Sequence, residues 1–219
     1  MGRGMVLKFV AHGRFVQRIA ARHGWLSGAR YTNLRDVRGV KRLGFLDIDW
    51  KNYDFRAHLA AAALSRPLIT VARDIEDQRH LPRILDEAVA LAEHATHVVL
   101  VPKALSLRLQ IDRLPARYVL GYSVPTRYGA TALPPEAFAG RPVHLLGGRP
   151  DRQRELGHRL NVVSLDCNRF TLDARFGDFF DGTRFRPHPV GGYRRCLRES
   201  IQNIDLIWAS YTVKRALAR

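Results

Sequence analysis

At 219 residues, with 46% hydrophobic and 26% charged residues, the chain is long enough for one domain with a real core and is not composed like a disordered protein. Its 36 Lys and Arg against 20 Asp and Glu give a formal net charge of +16, a field that attracts polyanions, nucleic acid ahead of an acidic membrane surface. No apolar run reaches membrane-span length, the basic start is too broken by Gly and Arg for a signal peptide, and Cys167 and Cys196 form neither a disulfide framework nor a CxxC metal pair. The expected compartment is therefore a reducing cytoplasm. The charge is also uneven: residues 1–42 hold ten Lys or Arg and one acid, Asp36.

In chain order, strand-length apolar runs recur: MVLKFV (5–10), RYTNL (30–34), GFLDID (44–49), PLITVA (67–72), HVVLVP (97–102), RYVLGYSV (117–124), PVHLLG (142–147) and NVVSLD (161–166). Between the first two, the segment from Gly13 to Ala29 reads as a helix through Phe15, Ile19, Ala20 and the terminal Gly24, with Arg14, Arg18 and Arg22 on one face. From Leu81 to Ala95, Ile84, Leu85, Ala88, Leu91 and Ala92 keep a 3.6-residue spacing. Leu197, Ile201, Ile204, Trp208 and Tyr211 do the same near the end and predict a last helix packed back on the sheet. Strands apolar on both faces, alternating with helices, mean a parallel sheet covered on both sides. Eight of them close a single compact (β/α)8 TIM-like barrel over residues 1–219, with a basic N-terminal segment (1–42) and an Arg/Phe-rich insertion (169–195). RYTNL is polar, and if the first two strands fail, a six-stranded doubly wound parallel sheet is the alternative.

Three of these runs end in acids: Asp47 and Asp49 after the third, Asp74 after the fourth, Asp166 at the end of the eighth. The carboxyl ends of parallel strands are where catalytic side chains collect, and carboxylates gathered there divide the labour of nucleophile and general base. The competing explanation for each is a helix N-cap or a salt bridge to one of the many arginines, and for Asp74 a charged turn, RDIED. His144, within the seventh strand, reads as a core histidine. Cys167 reads as buried, and without a neighbouring His it is not a thiol nucleophile.

The run VHLLGG, a helical linker and then SLDCNR resembles the last two strands of the tRNA-guanine transglycosylase superfamily, whose eighth strand carries an Asp-Cys pair with the Asp as nucleophile. GFLDIDWKN resembles the third-strand segment bearing that family's general-base aspartate, matched by Asp47 with Asp49 as rival. LITVARD resembles the fourth, whose aspartate holds the guanine-like base, here Asp74. VLGYSV resembles the glycine-containing turn of the sixth, here Gly121 and Tyr122, and Gly147 falls in the glycine turn after the seventh. The likeness spans residues 40 to 170. The chain departs from the tRNA enzymes in lacking their CxCxxC-plus-His zinc module, and Pro102-Lys103 replaces a base-contacting glutamine, leaving Lys103 as the candidate there. Zinc-free relatives of this size resemble virus-associated enzymes that exchange guanine for a 7-deazaguanine in DNA.

That resemblance implies a cofactor-free pentosyltransferase. Asp166 attacks C1′ of a deoxyguanosine, guanine leaves, and an incoming base such as 7-cyano-7-deazaguanine, deprotonated by Asp47 or Asp49, displaces the aspartyl ester. The partners expected are DNA in preference to tRNA and the free 7-deazaguanine base, with no membrane; the oligomeric state stays open. Arg14, Arg18 and Arg22, and Arg169, Arg175, Arg184 and Arg186 in the insertion, are the candidate phosphate contacts. The insertion's Phe170, Phe176, Phe179, Phe180 and Phe185 are either stacking platforms or core. The alternatives are a tRNA-modifying enzyme, a non-catalytic basic nucleic-acid-binding protein, and, last, a Mg²⁺-dependent nuclease or glycosylase.

Overall fold

The computed structural model describes residues 5–126 and 129–214, so the first four residues of the basic N-terminal segment lie outside the described residues. Eight strands, β1 (Leu7–Ala11), β2 (Leu26–Arg30), β3 (Phe45–Asp47), β4 (Ile69–Val71), β5 (His97–Leu100), β6 (Val119–Ser123), β7 (Pro142–Leu146) and β8 (Asn161–Asp166), pair in sequence order, all parallel, and β8 returns to β1. The fold is a closed (β/α)8 TIM-like barrel, and the doubly wound alternative is excluded. Five of the helices are α1 (Arg14–Ala21), α2 (Phe55–Ser65), α3 (Leu81–Ala92), α4 (Pro150–Leu156) and α5 (Arg169–Arg175); the last, α6 (Tyr193–Ala209), follows a hairpin of β9 (Asp178–Phe180) and β10 (Phe185–Pro187). The β2–β3, β5–β6 and β6–β7 connections carry only 3-10 turns, which is how a full barrel fits so short a chain.

Two expectations from sequence are corrected. The first helix stops at Ala21, because Gly24 takes φ +77° and the Gly24 and Trp25 N–H groups close the turn onto Ala21 and Ala20 carbonyls. The second strand is LSGAR, residues 26–30, and most of RYTNL is the turn that follows it. This strand's small and polar residues give no apolar run, and it is held by ladder bonds to β1 and β3 on either side. The last helix is as expected through Trp208. Tyr211 lies beyond its end, but its ring meets Trp208 edge-on and its hydroxyl bridges the Val162 N–H and the Leu160 carbonyl.

The ladder registers decide which side chains fill the barrel. Phe9 pairs with Asp166, Gly28 with Phe45, Phe45 with Ile69, Val71 with Val99, Gly121 with His144, and His144 with Ser164, so these share the inner face. Phe9 and Phe45 stack at 5.5 Å, and each ring taken from water contributes about 2 kcal/mol. Tyr122, one residue on from Gly121, points outward onto Phe138. Neither residue lines the pocket described below; Ser123 and Val124 do so instead.

Gly121 has a packing task. A Cβ there would sit 2.8 Å from Val101 Cγ2, 2.9 Å from Val99 Cγ1 and 3.1 Å from Leu146 Cδ1. The β-branched valines have little rotamer freedom to move aside. Gly121→Ala is therefore expected to destabilise the barrel by about 1–3 kcal/mol, lowering Tm by ~2–4 °C for each kcal/mol in thermal unfolding; an unchanged Tm would show that this layer is slack.

Candidate active site

The carboxyl ends of the strands surround an open pocket of about 380 Å³, within the range of small-molecule sites. Asp47, Asp74, Lys103, Gly147 and Asp166 all line it, so five of the residues singled out in the sequence converge. Asp49 does not: it turns to accept the Lys51 N–H, which leaves Asp47 as the third-strand acid facing the pocket. The groove between α1 and the first 3-10 turn is of similar size but is lined by Arg14, Arg18 and Arg38 with the single acid Asp36.

Asp166 owes its direction to a bulge. Val143 pairs with Val162 but His144 pairs with Ser164, so β8 carries one extra residue, Val163, at that point. Unbroken alternation from Val162 would turn Asp166 outward; the extra residue reverses the phase and brings Ser164 and Asp166 inside. The Gly147 N–H then donates to Asp166 Oδ1 at 2.9 Å. Gly147 and Gly148 have φ +60° and +85°, and a Cβ on Gly148 would overlap Val124, so this turn requires glycine. From α4, the buried Gln153 amide donates to the Gly147 carbonyl at 2.7 Å and the Asp166 carbonyl at 2.8 Å, locking turn and strand end together.

Below Asp166 lies His144, with no exposed surface. Its Nδ1 is 2.8 Å from Ser164 Oγ, its ring stacks on Phe45, and Nε2 faces Asp166 Oδ1 at 3.5 Å without a hydrogen bond. The sequence reading of His144 as core is right about burial and misses this proximity. The signal was the bulge, which no residue pattern announces. Arg30, Asn168, Gln153 and Trp50 are the other site residues that the sequence did not single out.

Asp74 is placed by β4 and β5 pairing beyond a bend, through the Ile75–Pro102 bridge, the Ile75 N–H to Val101 and the Lys103 N–H to Ile75. This sets Lys103 Nζ 2.6 Å from Asp74 Oδ2. Burial raises the Asp74 carboxyl above its usual range even so, outweighing the lysine. Asp47 is raised too, first by removal from water and then by the negative charge of Asp166; Arg30 and the Ile48 N–H act the other way. A carboxylate raised by burial and by a neighbouring acid in the same pocket is an arrangement suited to general acid and base work. Burial pushes the Cys167 thiol up to about 12, in agreement with its dismissal as a nucleophile.

Among the basic candidates, Arg14, Arg18 and Arg22 are all exposed. Arg169 forks onto Asp173 and Arg186 meets Asp181 at 3.0 Å. Phe170, Phe179 and Phe180 are core, whereas Phe176 is 78% exposed. Among the described residues no three His, Cys, Asp or Glu side chains group to hold a metal ion, and no helix is long and apolar enough to cross a membrane.

A carboxyl whose folded value is raised above its unfolded one takes stability away as pH rises through that interval. Asp47→Asn removes the charge while keeping the shape and the acceptor for Ile48. It is expected to raise Tm at pH 8 by about 2–4 °C and to leave Tm at pH 4 nearly unchanged. Calorimetry at the two pH values checks this, and equal shifts at both would show that Asp47 is not raised in the folded protein.

No curated protein matches this sequence. Residues 20–209 match the model of one protein family, described as a family of unknown function. That span takes in seven of the eight barrel strands, every residue lining the pocket and all of α6, and the chain belongs to that family, DUF6610.

Proposed function

We propose that the protein exchanges a guanine in DNA for a 7-deazaguanine base through an aspartyl-sugar intermediate. The observation that carries this reading is the convergence, in one pocket at the carboxyl end of a closed barrel, of Asp166 held by the Gly147 N–H and Asp47 raised by burial and by Asp166. The strand-end pattern resembling the tRNA-guanine transglycosylase superfamily supports the same assignment.

Asp166 attacks C1′; the C1′–O bond forms as C1′–N9 breaks, and protonated Asp47 gives its proton to the departing guanine. Asp47, now a carboxylate, takes the N9 proton of the incoming deazaguanine. N9 then displaces the Asp166 ester with overall retention at C1′. Asp74, fixed by Lys103, faces the base edge, and Val71, Val124 and Leu146 supply the apolar wall. Taking the base out of a duplex costs a few kcal/mol, least where it is already unpaired.

Incubation with radiolabelled 7-cyano-7-deazaguanine is expected to label DNA with the wild-type protein and not with Asp166→Ala. Label in tRNA alone would move the same chemistry to RNA, and label in neither would refute base exchange. Because Asp47 is raised and must carry a proton for guanine to leave, kcat/KM for DNA is expected to fall as pH rises through a limb well above the ordinary aspartate value of about 3.9. A limb at the ordinary value would remove Asp47 from the acid-base role.

A further inference from the structure

The rim of the pocket carries aromatic rings and cations that the chemistry above does not use. In an eight-stranded ring β3 and β7 are four strands apart and so lie on opposite sides of the mouth. After β3 stands Trp50, 48% exposed, lining the pocket with Arg30 from the end of β2. The Lys51 ammonium sits over the Trp50 ring at 5.3 Å. The Arg30 guanidinium makes no ion pair or hydrogen bond among the described residues. After β7 stands Arg149, whose guanidinium lies 5.7 Å from the Phe185 ring of β10, and Arg169 at the start of α5 lies 6.0 Å from the same ring. Asp151 and Asp173 take part of each guanidinium, which fixes the forks and leaves N–H groups on Arg149 and Arg169 for another acceptor.

A ring with a cation against it, repeated on both sides of a pocket, matches a chain that alternates flat bases with phosphates. A free base or a nucleoside fills the pocket alone and reaches neither side. We propose that these two ledges hold a single-stranded stretch of polynucleotide across the mouth, with bases stacked on Trp50 and Phe185 and phosphates on Arg30, Lys51, Arg149 and Arg169. The inference rests on the base-exchange reading in one respect: the nucleotide between the ledges is the one presented to Asp166. Its span requires an unpaired or locally opened target, since a duplex keeps its bases stacked on one another.

The three tryptophans make this measurable. Trp25 and Trp208 are 3% and 4% exposed, so Trp50 is the indole open to solvent. In Asp166→Asn protein, which keeps the acceptor for Gly147, a ten-nucleotide oligodeoxynucleotide is expected to quench tryptophan emission. An abasic chain of the same length is expected to bind without quenching. Trp50→Ala, a change at an exposed position, is expected to weaken oligonucleotide binding about tenfold, and Arg149→Ala to lower the slope of log affinity against log salt by about one. Absence of quenching, equal quenching by the abasic chain, or unchanged affinity in Trp50→Ala would each overturn the proposal. The two readings fail separately. Quenching without base exchange in the wild-type protein sinks the enzymatic reading and leaves the ledges standing, whereas exchange without quenching sinks the ledges alone.

Discussion

The phase of side-chain alternation around the barrel is the constraint on which the pocket depends. With a period of two, each strand offers alternate residues to the interior, and the ladders lock neighbouring strands into one common phase. Asp47, Val71, Ser123, Leu146 and Asp166 reach the pocket because they occupy the inward positions nearest the carboxyl ends. A shift of one residue in β8 would exchange Asp166 for Leu165. The bulge at Val163 sets that strand in the phase that brings a carboxylate inside, and Gly147, Gln153 and His144 then enclose it from three sides.

The electrostatic layout follows from that geometry. Acids occupy the interior positions of the mouth, where loss of water raises Asp47 and Asp74 and the charge of Asp166 raises Asp47 further, while the excess of arginine lies outside. Polar groups held in a closed interior are costly unless satisfied, and here several are left partly so: His144 Nε2 and Gln153 Oε1 are buried without a hydrogen bond. Such incomplete satisfaction is common where a site is organised for a ligand at the expense of stability. In the proposed base exchange, the net charge of +16 would draw a polyanion to the rim, and the acids beneath would meet the hydrogen-bonding edge of a base.

The shortened connections shape the outside of the barrel. Where β2–β3, β5–β6 and β6–β7 carry no α-helix among the described residues, the chain is saved for the segment after β8. There α5, the β9–β10 hairpin and α6 form a small addition whose core is Phe170, Phe179, Phe180, Leu197 and Ile201. The same hairpin carries Phe185 to a place beside Arg149 and Arg169. The insertion's phenylalanines therefore divide by position: Phe170, Phe179 and Phe180 are buried, Phe185 is half-buried against Phe180, and Phe176 is exposed.

The sequence by itself determined the fold class, most of the strand order and the converging acids. Those properties come from local signals: apolar runs of strand length, a 3.6-residue period in α3 and α6, and a carboxylate at a strand's end. It was silent about β2, whose LSGAR residues form a strand only because β1 and β3 offer ladder bonds on both sides. It left Asp47 and Asp49 as rivals, and placed Gly121 and Tyr122 in the pocket. Choosing among these needs the inner face of each strand, a property of register between strands distant in sequence. Tertiary structure alone decided that His144 lies under Asp166, that Lys103 pairs with Asp74, and that Arg30 and Trp50 share their pocket. These are contacts between neighbouring strands that lie apart in sequence, and they exist only once pairing has fixed the strands' register and the phase of every side chain.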